Sequence, residues 1–205
     1  MIEEKSTSVS LLVQAHELVA GVLLAGDTAV DATIGNGHDT LFLTRCVGAS
    51  GMVYGFDVQQ AALINSRERL EADEVDGGCY QLICESHAGM EHYVVGQAKA
   101  VMFNLGYLPG GDKTRITHAD STSAALLAAA GLIACGGILT VMCYPGHDGG
   151  DDEARMVTKF INELDSEQWV VARYNRVEAK RWSPYLWAVT RSSANSDPAD
   201  DPTEL

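Results

Sequence analysis

The strongest constraint in this chain is an alternation. Short apolar runs rich in branched residues alternate with helix-like stretches, and the runs end in polar or glycine-bearing segments. Residues 28–33, 52–56, 80–84, 100–103 and 138–144 read as buried strands. Residues 40–47, 61–70, 121–133 and 151–164 read as helices, the last with acids well placed in its first turn. An N-terminal helix carries Val9, Leu12, Val13, His16, Val19, Ala20, Leu23 and Leu24 at three- and four-residue steps. Ser8 or Ser10 serves as its cap, and Gly26 lies near its end. Such alternation predicts an α/β fold around a mostly parallel sheet with helices on both faces. Residues 169–177 and 184–190 are two late strands with no helix between them, which predicts an antiparallel hairpin at one edge.

Composition narrows the class. A chain of 205 residues with 46% apolar and 20% charged residues fits one globular domain, expected over residues 1–191. Residues 192–205 hold four acids, no bases and almost nothing apolar, which predicts a disordered tail. No apolar run is long enough to span a membrane. The N-terminus shows no basic segment followed by an apolar one, so a cytoplasmic protein is expected. The five cysteines lack C-x-x-C spacing and read as small buried hydrophobes. The six histidines show no H-x-x-x-H spacing, and no metal is expected. Net charge is −14, which argues against broad non-specific binding to nucleic acid but leaves room for a local basic site.

In open parallel sheets the ligand lies beyond the carboxyl ends of the strands. This chain concentrates its unusual residues there. After the first strand, Asp31 leads into Gly35-Asn36-Gly37-His38-Asp39, where a sharp turn feeds a helix N-terminus with free N–H groups. The dinucleotide pattern G-x-G-x-x-G fails at Thr40, which disfavours a pyrophosphate ligand such as NAD. Asp57 ends the second strand about 20 residues past the glycines, where a carboxylate can accept from the two hydroxyls of a ribose. Gln59 stands close enough to help. Ser86 and His87 end the third strand and can meet an adenine edge or the cofactor's amino-acid part. A glycine turn and a ribose acid without a pyrophosphate signature fit S-adenosylmethionine. The fourth strand runs into Asn104-Leu105-Gly106-Tyr107-Leu108-Pro109-Gly110-Gly111-Asp112-Lys113, which is similar to the substrate-facing loop of amine methyltransferases. A regulator that only binds nucleotides would not need that loop.

Taken together, residues 31–40, the Phe56-Asp57-Val58-Gln59 step, Ser86-His87 and residues 103–113 resemble the rRNA methylase family of small class I methyltransferases. The resemblance covers roughly residues 12–190. It implies a Rossmann-like fold with a seven-stranded sheet and S-adenosylmethionine as cofactor. Studied members of the family methylate tRNA, converting 5-aminomethyl-2-thiouridine at the wobble position to its methylaminomethyl form. Carried over, the cofactor contacts fall on Asn36, Gly37, Asp57, Gln59, Ser86 and His87, with Asp31, Gly35 and Asp39 in the same turn. The segment from Asn104 to Pro109 would face the amine. Tyr144-Pro145-Gly146-His147 matches the family's next strand-end motif less closely. The resemblance also admits a homodimer. An rRNA or a small amine stays open as the alternative substrate.

Methyl transfer demands alignment above all, and an amine must be neutral to offer a lone pair. Candidate proton acceptors are Tyr107, Asp112 and His147. RNA contacts are expected from Lys113 and Arg115 in the long loop. They are also expected from Arg173, Arg176, Lys180 and Arg181, interleaved with Tyr174, Trp182, Tyr185 and Trp187.

Overall fold

The computed structural model describes residues 2–106, 119–146, 149–180 and 182–193. Its strands are β1 (Ile2–Thr7), β2 (Thr28–Asp31), β3 (Met52–Phe56), β4 (Tyr80–Ile83), β5 (Ala98–Asn104), β6 (Ile133–Cys143), β7 (Trp169–Arg176) and β8 (Tyr185–Arg191). The helices are α1 (Leu11–Ala20), α2 (His38–Val47), α3 (Gln60–Ala72), α4 (Ala119–Leu132) and α5 (Gly150–Asn162), with a 3-10 helix at His87–His92. The strands form one sheet in the order β1-β7-β8-β6-β5-β2-β3-β4. Strand β8 is antiparallel to both its neighbours, and every other pairing is parallel.

The architecture is the expected α/β sheet with one strand more than the seven foreseen. Strand β1 pairs in parallel with β7, from Ile2 against Val171 to Thr7 against Arg176. The hairpin is therefore not an edge: β8 lies inside the sheet and β1 covers β7. Strand β1 escapes pattern reading because it buries only Thr7 and exposes Glu3, Glu4 and Lys5. Charged side chains on a short outer strand also protect the edge against pairing with another chain. Asn175 Nδ2 donates to Glu4 Oε2 at 2.9 Å and helps hold the strand in place.

Strand β6 starts at Ile133, earlier than the sequence suggests, because the register against β5 shifts between Ala98 and Ala100. Gly137 permits this close approach, since a Cβ there would stand 2.8 Å from the Lys99 carbonyl. Two apolar cores cover the sheet. One packs α4 and α5 over residues such as Phe103, Val141 and Trp187. The other packs α1 and α2 over Ala29, Val53, Ala100 and Met142. Ser10 caps α1, its Oγ accepting from Val13 N–H at 3.2 Å. The cysteines depart from expectation: Cys79 and Cys143 are buried, but Cys84 and Cys135 are exposed.

Strand order places the site. From β2 the chain winds outward through β3 and β4, then returns to lay β5 on the other side of β2. The carboxyl ends of β2 and β5 therefore flank the topological switch point, the crevice where open α/β sheets hold ligands. Among the described residues no helix is long and apolar enough to cross a membrane.

Candidate active site

The turn after β2 is built around two buried acids. Asp31 is fully buried at the strand end. Its Oδ1 accepts from Thr33 N–H at 3.1 Å and its Oδ2 from Thr40 Oγ–H at 2.6 Å. Thr40, the residue that breaks the dinucleotide pattern, thus ties helix α2 to the strand. Asp39 lies in the first turn of α2, where a negative charge suits the helix dipole. His16 on α1 donates Nε2–H to Asp39 Oδ1 at 2.7 Å, and its ring stacks on Phe42 at 3.9 Å.

Burial pushes the Asp31 carboxyl up to about 7, with the neighbouring Asp39 charge acting in the same direction. In an unfolded chain the group titrates near 4. Between these values the folded state holds the extra proton, so this group's contribution to stability falls as pH rises from about 4 to about 7. Asn mimics the protonated acid: its oxygen can accept from Thr33 N–H while its amide donates to Thr40 Oγ. The melting temperature of Asp31→Asn relative to the wild type is therefore expected to climb as pH is raised from 5 to 8. A difference independent of pH would remove Asp31 as the titrating group.

The glycines do what the turn requires. Gly37 caps α2 at φ +75°, and a Cβ there would lie 2.8 Å from Ser66 Cα. Gly35 N–H donates to Asp57 Oδ2 at 3.1 Å, and Gln59 N–H donates to Asp57 Oδ1 at 2.9 Å. The Asp57 carboxylate is thus oriented by two backbone donors, and each oxygen keeps a second lone pair. Burial raises its pKa, opposed by those two N–H groups and by His87. Asn36 turns toward α3. Its Oδ1 accepts from Asn65 Nδ2 at 3.2 Å and its carbonyl from Arg69 Nε at 2.7 Å.

Strands β4 and β5 close the crevice. Ser86 Oγ accepts from Ala88 N–H and caps the 3-10 helix. His87 donates Nδ1–H to the Ala32 carbonyl at 2.9 Å, leaving Nε2 buried and without a partner among the described residues. Burial lowers the pKa of this imidazole. At the end of β5, Asn104 N–H donates to Thr33 Oγ at 2.7 Å. The Asn104 side chain approaches the Tyr144 hydroxyl and pulls its pKa down. Burial and the Asp39 charge outweigh it and leave the phenol above its usual range. Tyr144 is therefore a neutral phenol at ordinary pH.

The structure thus brings Asp31, Gly35, Asn36, Gly37, Asp39, Asp57, Gln59, His87 and Asn104 to one end of the sheet, with Ser86 as a cap beside them. Tyr107, Asp112, Lys113, Arg115, His147 and Arg181 lie outside the described residues. The hairpin differs from expectation. Tyr185 and Trp187 are buried in the core under α5, not open to nucleotides. The Arg173 guanidinium stacks 4.0 Å from the Tyr185 ring centre and reaches Glu4 at 3.7 Å, so its own fold engages it. Arg176 and Lys180 are exposed. Sequence reading missed Thr33, Thr40 and His16 as parts of the site. The detectable signal was an imidazole inside the apolar stripe of α1.

Comparison with known proteins decides the family. The model of the family described as "Putative rRNA methylase" matches residues 53–190, more than half of the chain. This chain belongs to that family. A solved rRNA methylase of this description from Clostridium thermocellum is 38% identical, with a TM-score of 0.86 over 90% of this chain and 99% of that one. A methyltransferase structure from Streptococcus mutans, in complex with SAH, is 34% identical. It superposes with a TM-score of 0.82 over 90% of this chain and 99% of that one. A tRNA (mnm(5)s(2)U34)-methyltransferase, chloroplastic, from Arabidopsis thaliana is 36% identical over 169 residues, or 78% of this chain. That alignment spans 62% of the Arabidopsis protein's own length. The fold is that of class I methyltransferases.

Proposed function

We propose that this protein is an S-adenosylmethionine-dependent RNA methyltransferase that methylates the aminomethyl group of 5-aminomethyl-2-thiouridine at the tRNA wobble position. One observation carries the reading. The turn anchored on Asp57 and the strand end bearing Asn104 meet at the switch point, linked through Thr33. A cofactor crevice thereby lies beside an amide able to receive an amine. The family match supports an RNA methylase, and the name of the Arabidopsis relative supports the wobble uridine of tRNA as the substrate.

The residues fit the cofactor. Asp57 offers two pre-oriented oxygens for ribose hydroxyls, and Gly35 and Gly37 let the backbone come close. The buried Nε2 of His87 has no hydrogen-bond partner among the described residues and can accept one from the cofactor. Asp39, held by His16, offers negative charge for the cofactor's ammonium. When bound, S-adenosylmethionine supplies an electrophilic methyl group on a sulfonium, which matches SAH as the molecule found in the Streptococcus mutans structure. This chain's part is alignment. Asn104 Oδ1 accepts an N–H of the amine and sets the direction of its lone pair. Tyr144, kept neutral, holds the Asn104 side chain. The proton acceptor belongs to the segments that carry Tyr107, Asp112 and His147.

The test is methyl transfer from labelled S-adenosylmethionine to tRNA from a strain lacking the terminal wobble methylation, read by nucleoside mass spectrometry. One added methyl on 5-aminomethyl-2-thiouridine is expected. Intact SAH binding with no incorporation would overturn the tRNA assignment and direct the search to rRNA and small amines.

A further inference from the structure

We infer that Trp182 is a stacking platform for an unpaired nucleobase that flanks the methylated nucleotide. This inference rests on RNA being the substrate. It names the part of the RNA that the hairpin recognises.

Three observations combine. The first is exposure. Trp169 and Trp187 are 9% and 2% exposed, whereas Trp182 is 52% exposed. An indole left half in water is unusual for a residue that proteins bury heavily. The second is place. Tyr185 pairs with Cys143 at the carboxyl end of β6, so the β7–β8 loop rises on the same side as the candidate site. Trp182 stands against Gly146: a Cβ on that glycine would lie 3.2 Å from Trp182 Cβ. Gly146 is two residues past Tyr144, so their Cα atoms are at most about 7 Å apart. Tyr144 in turn meets Asn104. The indole therefore sits on the rim of the crevice where the amine is expected.

The third observation is construction. Ser183 N–H donates to the Lys180 carbonyl at 2.9 Å, and Lys180 N–H donates to Ser183 Oγ at 2.8 Å. Ala179 N–H donates to the Arg176 carbonyl at 2.9 Å. These bonds brace the loop that carries Trp182. Arg176 at the end of β7 and Lys180 in the loop are exposed, with one acid, Glu178, between them. Bases beside an exposed aromatic suit a single strand: cations meet phosphates while the ring takes a base face. The buried Tyr185 and Trp187 cannot do this, which leaves Trp182 as the exposed tryptophan of the hairpin.

The experiment uses the full chain with two RNAs: an anticodon stem-loop with uridine at the wobble position for the binding measurements, and tRNA carrying 5-aminomethyl-2-thiouridine for KM. RNA is titrated while tryptophan emission is followed, and retention on a filter measures binding separately. Stacking is expected to quench emission on binding, because the other two tryptophans are buried. Trp182→Phe should bind RNA without the quench. Trp182→Ala should raise KM for the RNA about tenfold or more, and Trp182→Phe should recover most of that loss. SAH affinity, by calorimetry, should stay within twofold in both variants, which controls for folding. Bound RNA with unquenched emission and a KM within twofold for Trp182→Ala would overturn the stacking site and leave RNA methylation standing. No RNA retention by the wild type and no methylation of any RNA would overturn both.

Discussion

Asn104→Ala is expected to bind SAH as tightly as the wild type and to transfer methyl groups roughly 100-fold slower or worse. The backbone explains the first half. Asn104 N–H donates to Thr33 Oγ, and Leu105 N–H donates to the Met142 carbonyl at 3.1 Å. Both bonds survive truncation, so the end of β5 keeps its place. The second half follows from what is removed. The side-chain amide is the group at the strand end that can accept an amine N–H and steer its lone pair. Losing that orientation costs reactive geometry rather than binding. Asn104→Asp separates orientation from charge. A carboxylate still accepts, yet it stabilises the ammonium form, so the rate should fall and the pH optimum should move upward. Single-turnover rates at saturating cofactor and RNA, measured against pH, read both effects. A rate for Asn104→Ala within threefold of the wild type would remove Asn104 from the amine site.

What could be read from the sequence was whatever the local backbone demands. Gly35 and Gly37 adopt φ of +53° and +75°, which side chains rarely tolerate, so glycine marks the turn directly. Asp57 declares itself by standing at a strand end beyond that turn. The bonds that finish the site are different. Thr33 reaches Asn104 across 71 residues, and His16 reaches Asp39 across 23. A hydroxyl or an imidazole gives no local sign of a partner that only the folded sheet supplies. Strand β1 was hidden for a related reason. Its stability comes from the ladder to β7, and its side chains carry charge instead of the apolar alternation that betrays a buried strand.

Tyr185 and Trp187 misled the pattern reading in a more instructive way. Arg173 pairs across the strands with Trp187, and alternation puts Tyr185 on the same face. That pattern is identical for an open aromatic platform and for a core face. Helix α5 decides between them. It lies over the hairpin, with Tyr185 Oη–H donating to the Ala154 carbonyl at 3.4 Å, and so claims both rings for the interior.

Asp57→Ala is expected to weaken SAH by about 100-fold or more in calorimetry. Hydrogen bonds to a charged group contribute roughly 1.5–3 kcal/mol each. Two ribose hydroxyls on one carboxylate therefore amount to a factor of about 100 at the low end. The same carboxylate also anchors Gly35 N–H and Gln59 N–H, so its loss loosens the turn as well. Asp57→Asn tells the two contributions apart. Asn keeps one accepting oxygen and places an amide where the second was, so it should lose less affinity than Ala. The pH dependence adds an independent check. Burial holds the Asp57 carboxyl above its usual range, and only the ionised form accepts at both oxygens. Wild-type affinity for SAH should therefore begin to fall at a higher pH than an ordinary carboxylate would cause, and Asp57→Asn should lack that step. An unchanged affinity in Asp57→Ala would take the ribose away from β3 and leave Asp57 as a tie for the glycine turn alone.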